Sequence, residues 1–413
     1  KNINAEYLVI GGGFAGLHAA LYLIDLGKDV VLLEKSFCGG SSSGRSSGFL
    51  TPASELGLSQ MVRRYGVKGA KTVWEIPVQG VKEVKKNVDK YNINCDLESQ
   101  DCLYVGIGES GLEEIKNEAG ASKKMRVKYR YYDKKALKSI LNTKSYTAGI
   151  RTFDTYSVNS LLYCKDLKRV LIEKGVKIFE NSEVEKIKGN TANTESGSVK
   201  AEKIIVCIDK MKSGFNEISK KIYHAQTFLA VSKPLSKKEM ESIFPRGKIM
   251  CWDSKLVYSY FKLTKDNRLL LGGSSQLVIY SPGFTNYPFV INSIIKKFKG
   301  NFPGAKDIEF EAYWPGLIDI AKDIMPIVDF DLKNKNIQYV LGNPGLPWAA
   351  FLGTYAAKRA INKKETSIKK YEKYVKANRK FFISDFTQMF IGKIPSFALN
   401  NIYVENYQVD KKL

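Results

Sequence analysis

Residues 6–10 (EYLVI) and 29–34 (DVVLLE) each hold an unbroken run of four apolar residues, too short for a helix and without the alternation of a half-exposed strand. Such runs predict parallel strands buried on both faces. Between them, three glycines give way to a helical stretch from Ala15 to Leu26. Strand, glycine turn, helix, strand is a βαβ unit, which predicts an α/β fold with a parallel sheet. A Ser/Gly-rich loop follows at 39–48, then a mostly helical, charged region from about 54 to 145 with one strand at 102–107. A second α/β stretch is predicted over helix 157–174 and strands 175–179, 183–188 and 203–208. Alternating Tyr, Phe, Leu and Val at 222–232 and 249–273 predict antiparallel strands. Helix 288–299, a strand at 337–341 and a helix over 349–361 close the readable pattern, and the last fifty residues, lysine-rich and then aromatic, are left without an assignment.

Gly11-Gly12-Gly13-Phe14-Ala15-Gly16 satisfies GxGxxG between the first strand and helix, and Glu34 ends the next strand. Gly11 permits the tight turn, Gly13 lets the backbone approach a pyrophosphate, and Gly16 lets helix pack on strand. The helix N-terminus offers N–H groups and a positive dipole end to phosphates, and Glu34 accepts ribose hydroxyls. A dinucleotide site is therefore expected. The loop Ser41-Ser42-Ser43-Gly44-Arg45-Ser46-Ser47-Gly48 stands where a nicotinamide domain would continue its βα alternation. Small hydroxyl residues, glycines and one arginine suit the wrapping of a pyrophosphate beside a flat ring, which turns the expectation to flavin.

At 413 residues the chain holds two or three domains, and 44% hydrophobic with 12% aromatic content excludes a disordered chain. No stretch approaches eighteen consecutive apolar residues, and the N-terminus lacks the zones of a signal peptide. Six cysteines without a CxxC pair suit reduced thiols, so a cytoplasmic protein is expected. Two histidines, His18 and His224, exclude a His-rich metal site, so no metal is expected. The net charge of +23 comes mainly from lysines spread along the chain. It admits nucleic acid or an anionic surface as a partner without favouring either, and leaves as an alternative a basic nucleic-acid- or membrane-associated structural protein on a flavoenzyme scaffold.

From residue 5 to 362 the chain resembles the FAD-dependent oxidoreductases of the D-amino-acid-oxidase family. The GxGxxG strand and Glu34 match its ADP site, and Ser43-Gly44-Arg45-Ser46-Ser47-Gly48 its flavin loop. The passage from Leu161 to Val184, Arg268-Leu269-Leu270-Leu271-Gly272-Gly273, Trp314-Pro315-Gly316 with Asp323 and Pro326, and Gly342-Asn343-Pro344-Gly345-Leu346-Pro347-Trp348 follow in the family's order. The chain departs from it at Cys207-Ile208-Asp209. Within the family it is most similar to the γ-glutamylputrescine-oxidoreductase-like branch. The resemblance implies a Rossmann-like FAD-binding domain over 1–75, 146–221 and 313–362. It also implies an α+β substrate domain with a mixed or antiparallel sheet over 76–145 and 222–312, and leaves 363–413 as an extension. It implies an FAD site at Gly11, Gly13, Phe14, Ala15, Gly16, Glu34, Lys35, the loop Ser42 to Gly48, Val184, Gly316 and Pro344 to Trp348, Cys38 at the loop's edge being an ordinary buried thiol.

The implied reaction oxidises the C–N bond of an amine by hydride transfer to flavin N5, with oxygen or a redox partner as acceptor. Amino-acid oxidising members commonly carry a substrate-clamping arginine after the WxG element. Here the residues are Gly316-Leu317-Ile318-Asp319, which turns the expectation to a polyamine-like or secondary amine. Candidate substrate contacts are Asp319 and the aromatic residues Phe49, Tyr258, Tyr260, Trp314 and Trp348, whose ring faces favour cations. Leu270 falls where oxygen-using members have a lysine, leaving Lys262 or Lys265 as substitutes and favouring a dehydrogenase.

Overall fold

The computed structural model describes residues 2–53, 55–208, 218, 221–275, 284–361 and 366–402, so Asp209 and part of the C-terminal extension lie outside it. Two eight-stranded sheets organise the chain. The first has Asn2–Ile10 between Gly197–Val206 and Val30–Leu33, all three parallel. Lys177–Phe179 joins one side in parallel, and Ile337–Leu341 pairs in parallel with Gly197–Val206 on the other. The strand Val30–Leu33 is buried throughout, as its unbroken apolar run requires.

The second sheet runs Phe310–Ala321, Ile222–Pro234, Arg268–Gly273, Tyr260–Leu263, Met250–Asp253, Cys102–Gly106, Ala148–Thr152, Tyr129–Asp133. It is antiparallel except where Met250–Asp253 lies parallel to Cys102–Gly106. Sheet membership changes at positions other than 146 and 313. Ala148–Thr152 and the whole of Phe310–Ala321 hydrogen-bond into the second sheet, the latter along nearly the full length of Ile222–Pro234. A third sheet of three short strands, Phe49–Leu50, Tyr156–Ser157 and Glu98–Ser99, completes the pairing.

The largest core lies beneath the first sheet, where helices Phe14–Asp25, Leu58–Tyr91 and Leu346–Ile361 meet. Their approach is close: a Cβ on Gly353 would stand 2.0 Å from the Ala15 carbonyl oxygen. Leu58–Tyr91 breaks helical geometry at Gly66 and carries Pro77. Its first turn is capped from a distance by buried Glu118, whose carboxylate accepts from Leu58 N (3.0 Å) and Ser59 N (2.9 Å). His18 is buried in the first helix with Nε2 2.9 Å from Tyr163 Oη.

The unread C-terminal region is helical: Thr366–Val375, Asp385–Ile391 and Lys393–Ile402. It is fastened by Arg379, which donates to both oxygens of Asp323 (2.7 Å each) and to the Met325 carbonyl (2.6 Å). The Asp323 and Arg379 side chains are both almost wholly buried. Tyr223 Oη donates to Gln388 Oε1 (2.8 Å), and fully buried Lys322 pairs with Asp385.

Candidate active site

A cavity of about 1380 Å³ runs between the two sheets. That exceeds the ~300–1,000 Å³ usual for a single drug-sized ligand, and its wall changes character from end to end.

At one end it is lined by Glu34, Lys35, Ser182, Glu183 and Val184. Glu34 Oε2 accepts from Gly12 N (2.7 Å) and Oε1 from Ser36 N (2.9 Å), so the carboxylate holds the glycine turn against the end of the second strand. A carboxylate offers about four lone-pair sites, and Oε2 retains one for a hydroxyl. Gly11, Gly13, Phe14 and Ala15 form the next stretch of wall. Gly11 adopts φ +106°, and a Cβ on Gly16 would stand 1.8 Å from the Gly11 carbonyl oxygen, so neither position accepts a larger residue. The helix beginning at Phe14 has no side-chain cap at Gly13, leaving its positive end facing the cavity.

Ser42, Ser43, Arg45, Ser46 and Ser47 face this turn. Ser43 Oγ accepts from Phe14 N (3.0 Å), and Ser42 Oγ donates to the Leu317 carbonyl. Gly44 and Gly48 pack against the Gly39 and Val158 carbonyls. The Arg45 guanidinium donates to the carbonyls of Gly40 and Pro315 (3.3 Å each) and stacks on Phe284 (4.6 Å to the ring centre). Its fork braces the loop against the second sheet.

Gly316, Pro344, Gly345, Leu346 and Pro347 continue the wall toward the far end. Two buried polar atoms on the cavity lining, Asn343 Oδ1 and Thr152 Oγ1, have no hydrogen-bond partner among the described residues. Buried polar atoms are rarely left unpaired in a finished structure. A helix N-terminus opening on the cavity, a glycine cradle, a carboxylate at the ribose end and two orphaned polar atoms fit FAD stretched along the cavity.

The far end is aromatic and acidic. Phe49, Tyr104, Trp252, Tyr258 and Tyr260 line it, with ring centres 5.7–6.2 Å apart along the chain of contacts. Trp252 and Tyr104 sit side by side because Met250–Asp253 and Cys102–Gly106 pair in register. Glu55 is set into this wall, accepting from Tyr258 Oη at 2.5 Å. Burial pushes the Glu55 carboxyl above the usual carboxylate range, with the Tyr258 hydrogen bond opposing it. Burial pushes the Tyr260 hydroxyl up to about 12.

Three expected substrate contacts are engaged or buried elsewhere. Asp319, between cavity-lining Ile318 and Ile320 on the same strand, pairs with His224 Nδ1 (2.8 Å) on the neighbouring strand. Trp314 Nε1 donates to the Arg45 carbonyl (3.1 Å), again bracing the loop. Trp348 is fully buried in the helical core. Lys262 is buried behind Phe49, its Nζ donating to Ser157 Oγ (2.6 Å) and the Gly48 carbonyl (3.2 Å). Cys38 is a buried thiol pushed up to about 12 by burial. Glu55, Tyr104 and Trp252 had no signal in the sequence, because only the second sheet's pairing and the turn before residue 58 bring them together. Nor did Ile394, Phe397, Ala398 and Asn401, which bring the C-terminal helix into the cavity lining.

The sequence matches the FAD dependent oxidoreductase (DAO) family over residues 6–359, and the chain belongs to that family. It is a flavoenzyme that binds FAD. It is 28% identical over 334 residues to the probable oxidoreductase OrdL of Haemophilus influenzae, covering 78% of this chain and 75% of that protein. It is 26% identical over 358 residues to the γ-glutamylputrescine oxidoreductase of Escherichia coli, covering 84% and 80%. Its fold is similar to that of glycine oxidase from Geobacillus kaustophilus, with TM-score 0.74, 14% identity and coverage of 88% and 96%. L-proline dehydrogenase from P. horikoshii also gives TM-score 0.74, at 17% identity and coverage of 91% and 97%.

Proposed function

We propose that the enzyme oxidises the C–N bond of a small aliphatic amine that carries a positive charge, of the polyamine-like or secondary-amine kind. The observation that carries this reading is the far end of the cavity, lined by five aromatic side chains and by Glu55, which accepts from Tyr258. Aromatic faces hold ammonium groups at ~0.5–2 kcal/mol each, and a carboxylate among them selects for cations. A similar taste in the E. coli relative named for γ-glutamylputrescine supports the same class.

Bound FAD supplies the hydride acceptor for the carbon beside the amine nitrogen. The chain's own residues hold and orient the substrate. Glu55 and the rings Phe49, Tyr258 and Tyr260 anchor the charged end, while Gly316 and Ile318 leave the adjoining wall small or apolar. No general base is required of the protein, since an amine entering with its reacting nitrogen unprotonated has the lone pair that the imine needs. With Lys262 engaged by Ser157 and Gly48, and Leu270 apolar, the reading favours a redox partner over oxygen as acceptor.

Anaerobic mixing with a panel of amines tests this by loss of flavin absorbance. γ-Glutamylputrescine, putrescine and secondary amines are expected to bleach the flavin faster than glycine or alanine. Glu55→Gln is expected to raise KM for the cationic amines roughly ten- to a hundred-fold with a smaller change in kcat, corresponding to loss of a charged hydrogen bond of ~1.5–3 kcal/mol. Bleaching by simple amino acids alone, unaltered in Glu55→Gln, would overturn the reading.

A further inference from the structure

The C-terminal helices show two faces of different character. Inward, Lys393–Ile402 contributes Phe397 and Ala398 to the cavity lining, with Ile394 at its mouth. Outward, Phe386, Met389 and Phe390 are each about 70% exposed, and Ile394 is 56% exposed. The Phe386 and Phe390 rings touch edge to face, 5.0 Å between centres, so they form one apolar surface. A run of large apolar side chains projecting from two short successive helices is unusual on a soluble surface and marks an interaction site.

The charged residues of this stretch of chain are mostly basic. Between residues 379 and 402 the only acidic residue is Asp385, and its carboxylate is tied to Lys322. Lys380 and Lys393, on either side of the apolar residues in the chain, are exposed. The whole chain carries +23. Protruding phenylalanines flanked along the chain by exposed lysines match the boundary between headgroups and acyl chains of an anionic bilayer. A second copy of the chain fits less well. A stable dimer contact takes about 20–30 residues a side, whereas this surface has a handful on two short helices, and self-association would set its lysines against lysines.

We propose that the 385–402 helical pair docks the enzyme onto anionic lipid, with Phe386, Met389 and Phe390 inserted and Lys380 and Lys393 at the headgroups. The cavity mouth at Ile394 then opens at the lipid surface. This does not depend on the identity of the amine.

Co-sedimentation of the full-length holoenzyme with vesicles of phosphatidylcholine, with and without phosphatidylglycerol, tests it. Binding is expected to the phosphatidylglycerol vesicles and to be weak on phosphatidylcholine alone. Phe386→Ser/Phe390→Ser is expected to weaken binding roughly a hundredfold, at about tenfold per ring, and Lys380→Glu/Lys393→Glu to remove the preference for anionic lipid. Retained flavin absorbance and circular dichroism in each variant show that the fold is intact, and single Phe390→Ser gives a milder version of the same test. Holoenzyme that stays in the supernatant with phosphatidylglycerol vesicles would overturn the proposal. So would binding indifferent to the phenylalanine changes, or a dimer in sedimentation velocity that disappears in Phe386→Ser/Phe390→Ser.

Discussion

Lys262 is 2% exposed, and among the described residues its ammonium pairs with no carboxylate and donates to neutral oxygens of Gly48, Ser157 and Val158. Burial, opposed weakly by Cys102 and Glu98, lowers its pKa from 10.5 to about 7. In the unfolded chain the amine keeps its proton to near pH 10.5, so between pH 7 and pH 10.5 the unfolded state binds the extra proton. Stability then rises with pH across that window and is lost as pH falls toward 7. At about 1.4 kcal/mol per unit, two units from pH 7 to pH 9 correspond to about 3 kcal/mol, an upper figure for so buried a group. The six buried cysteines act in the opposite direction near pH 9, because unfolding frees thiols to ionise. The comparison is therefore between wild type and Lys262→Met, which share the cysteines. Urea unfolding of both at pH 7 and pH 9 is expected to show wild type gaining roughly 2–3 kcal/mol more than the variant over this interval. Equal changes in the two proteins would refute the assignment of a strained buried ammonium.

The purified protein is expected to be yellow, with flavin absorbance near ~450 nm, and Gly16→Ala to be colourless, because its Cβ would overlap the Gly11 carbonyl. Breaking the buried Asp323–Arg379 pair with Asp323→Asn is expected to destabilise the protein by about 3–5 kcal/mol and to expose the 376–402 segment to limited proteolysis, while wild type resists cleavage there. Because burial raises the Glu55 carboxyl, the anion that attracts a cationic amine is lost as pH falls from above the usual carboxylate range. The acid limb of kcat/KM is expected to sit correspondingly high and to vanish in Glu55→Gln. Arg45→Lys is expected to loosen the 41–48 loop, measured by hydrogen exchange, with flavin affinity altered less than by Gly16→Ala, since the guanidinium is engaged by carbonyls.

The glycine turn, Glu34 and the strands of the first sheet were readable because their meaning is local: a buried run, a turn that only glycine makes and a helix follow within twenty residues. The order of later motifs carried the family resemblance for the same reason. The substrate end was not readable in this way. On Phe310–Ala321 side chains alternate between faces, and nothing in the sequence says that Ile318 and Ile320 take the cavity face and leave Asp319 to His224. Trp348 reads equally well as cavity wall or core, and the packing of three helices decided for core. Glu55, Tyr104 and Trp252 converge from parts of the chain up to two hundred residues apart. Of the C-terminal helices, Thr366–Val375 turns Ile368, Tyr371, Tyr374 and Val375 into the main core, a face obscured in the sequence by its lysines, whereas Asp385–Ile391 buries no residue and is held by polar contacts such as Lys322 to Asp385.

The first sheet places Asn2–Ile10 beside Gly197–Val206, which pairs in turn with Ile337–Leu341, and the helix after that strand packs on the one after the glycine turn. Neighbours so distant along the chain cannot meet until most of it has been synthesised. During translation the first strand can pair early with Val30–Leu33, but its other edge waits unpaired for some two hundred residues, until Gly197–Val206 is made at ~5–20 residues per second. Assembly of the sheet is thus a late event, and a nascent chain is most exposed to aggregation in that interval. Flavin supply during expression is expected to raise yield more than flavin added afterwards, since a ligand that binds only the closed sheet draws the last step forward.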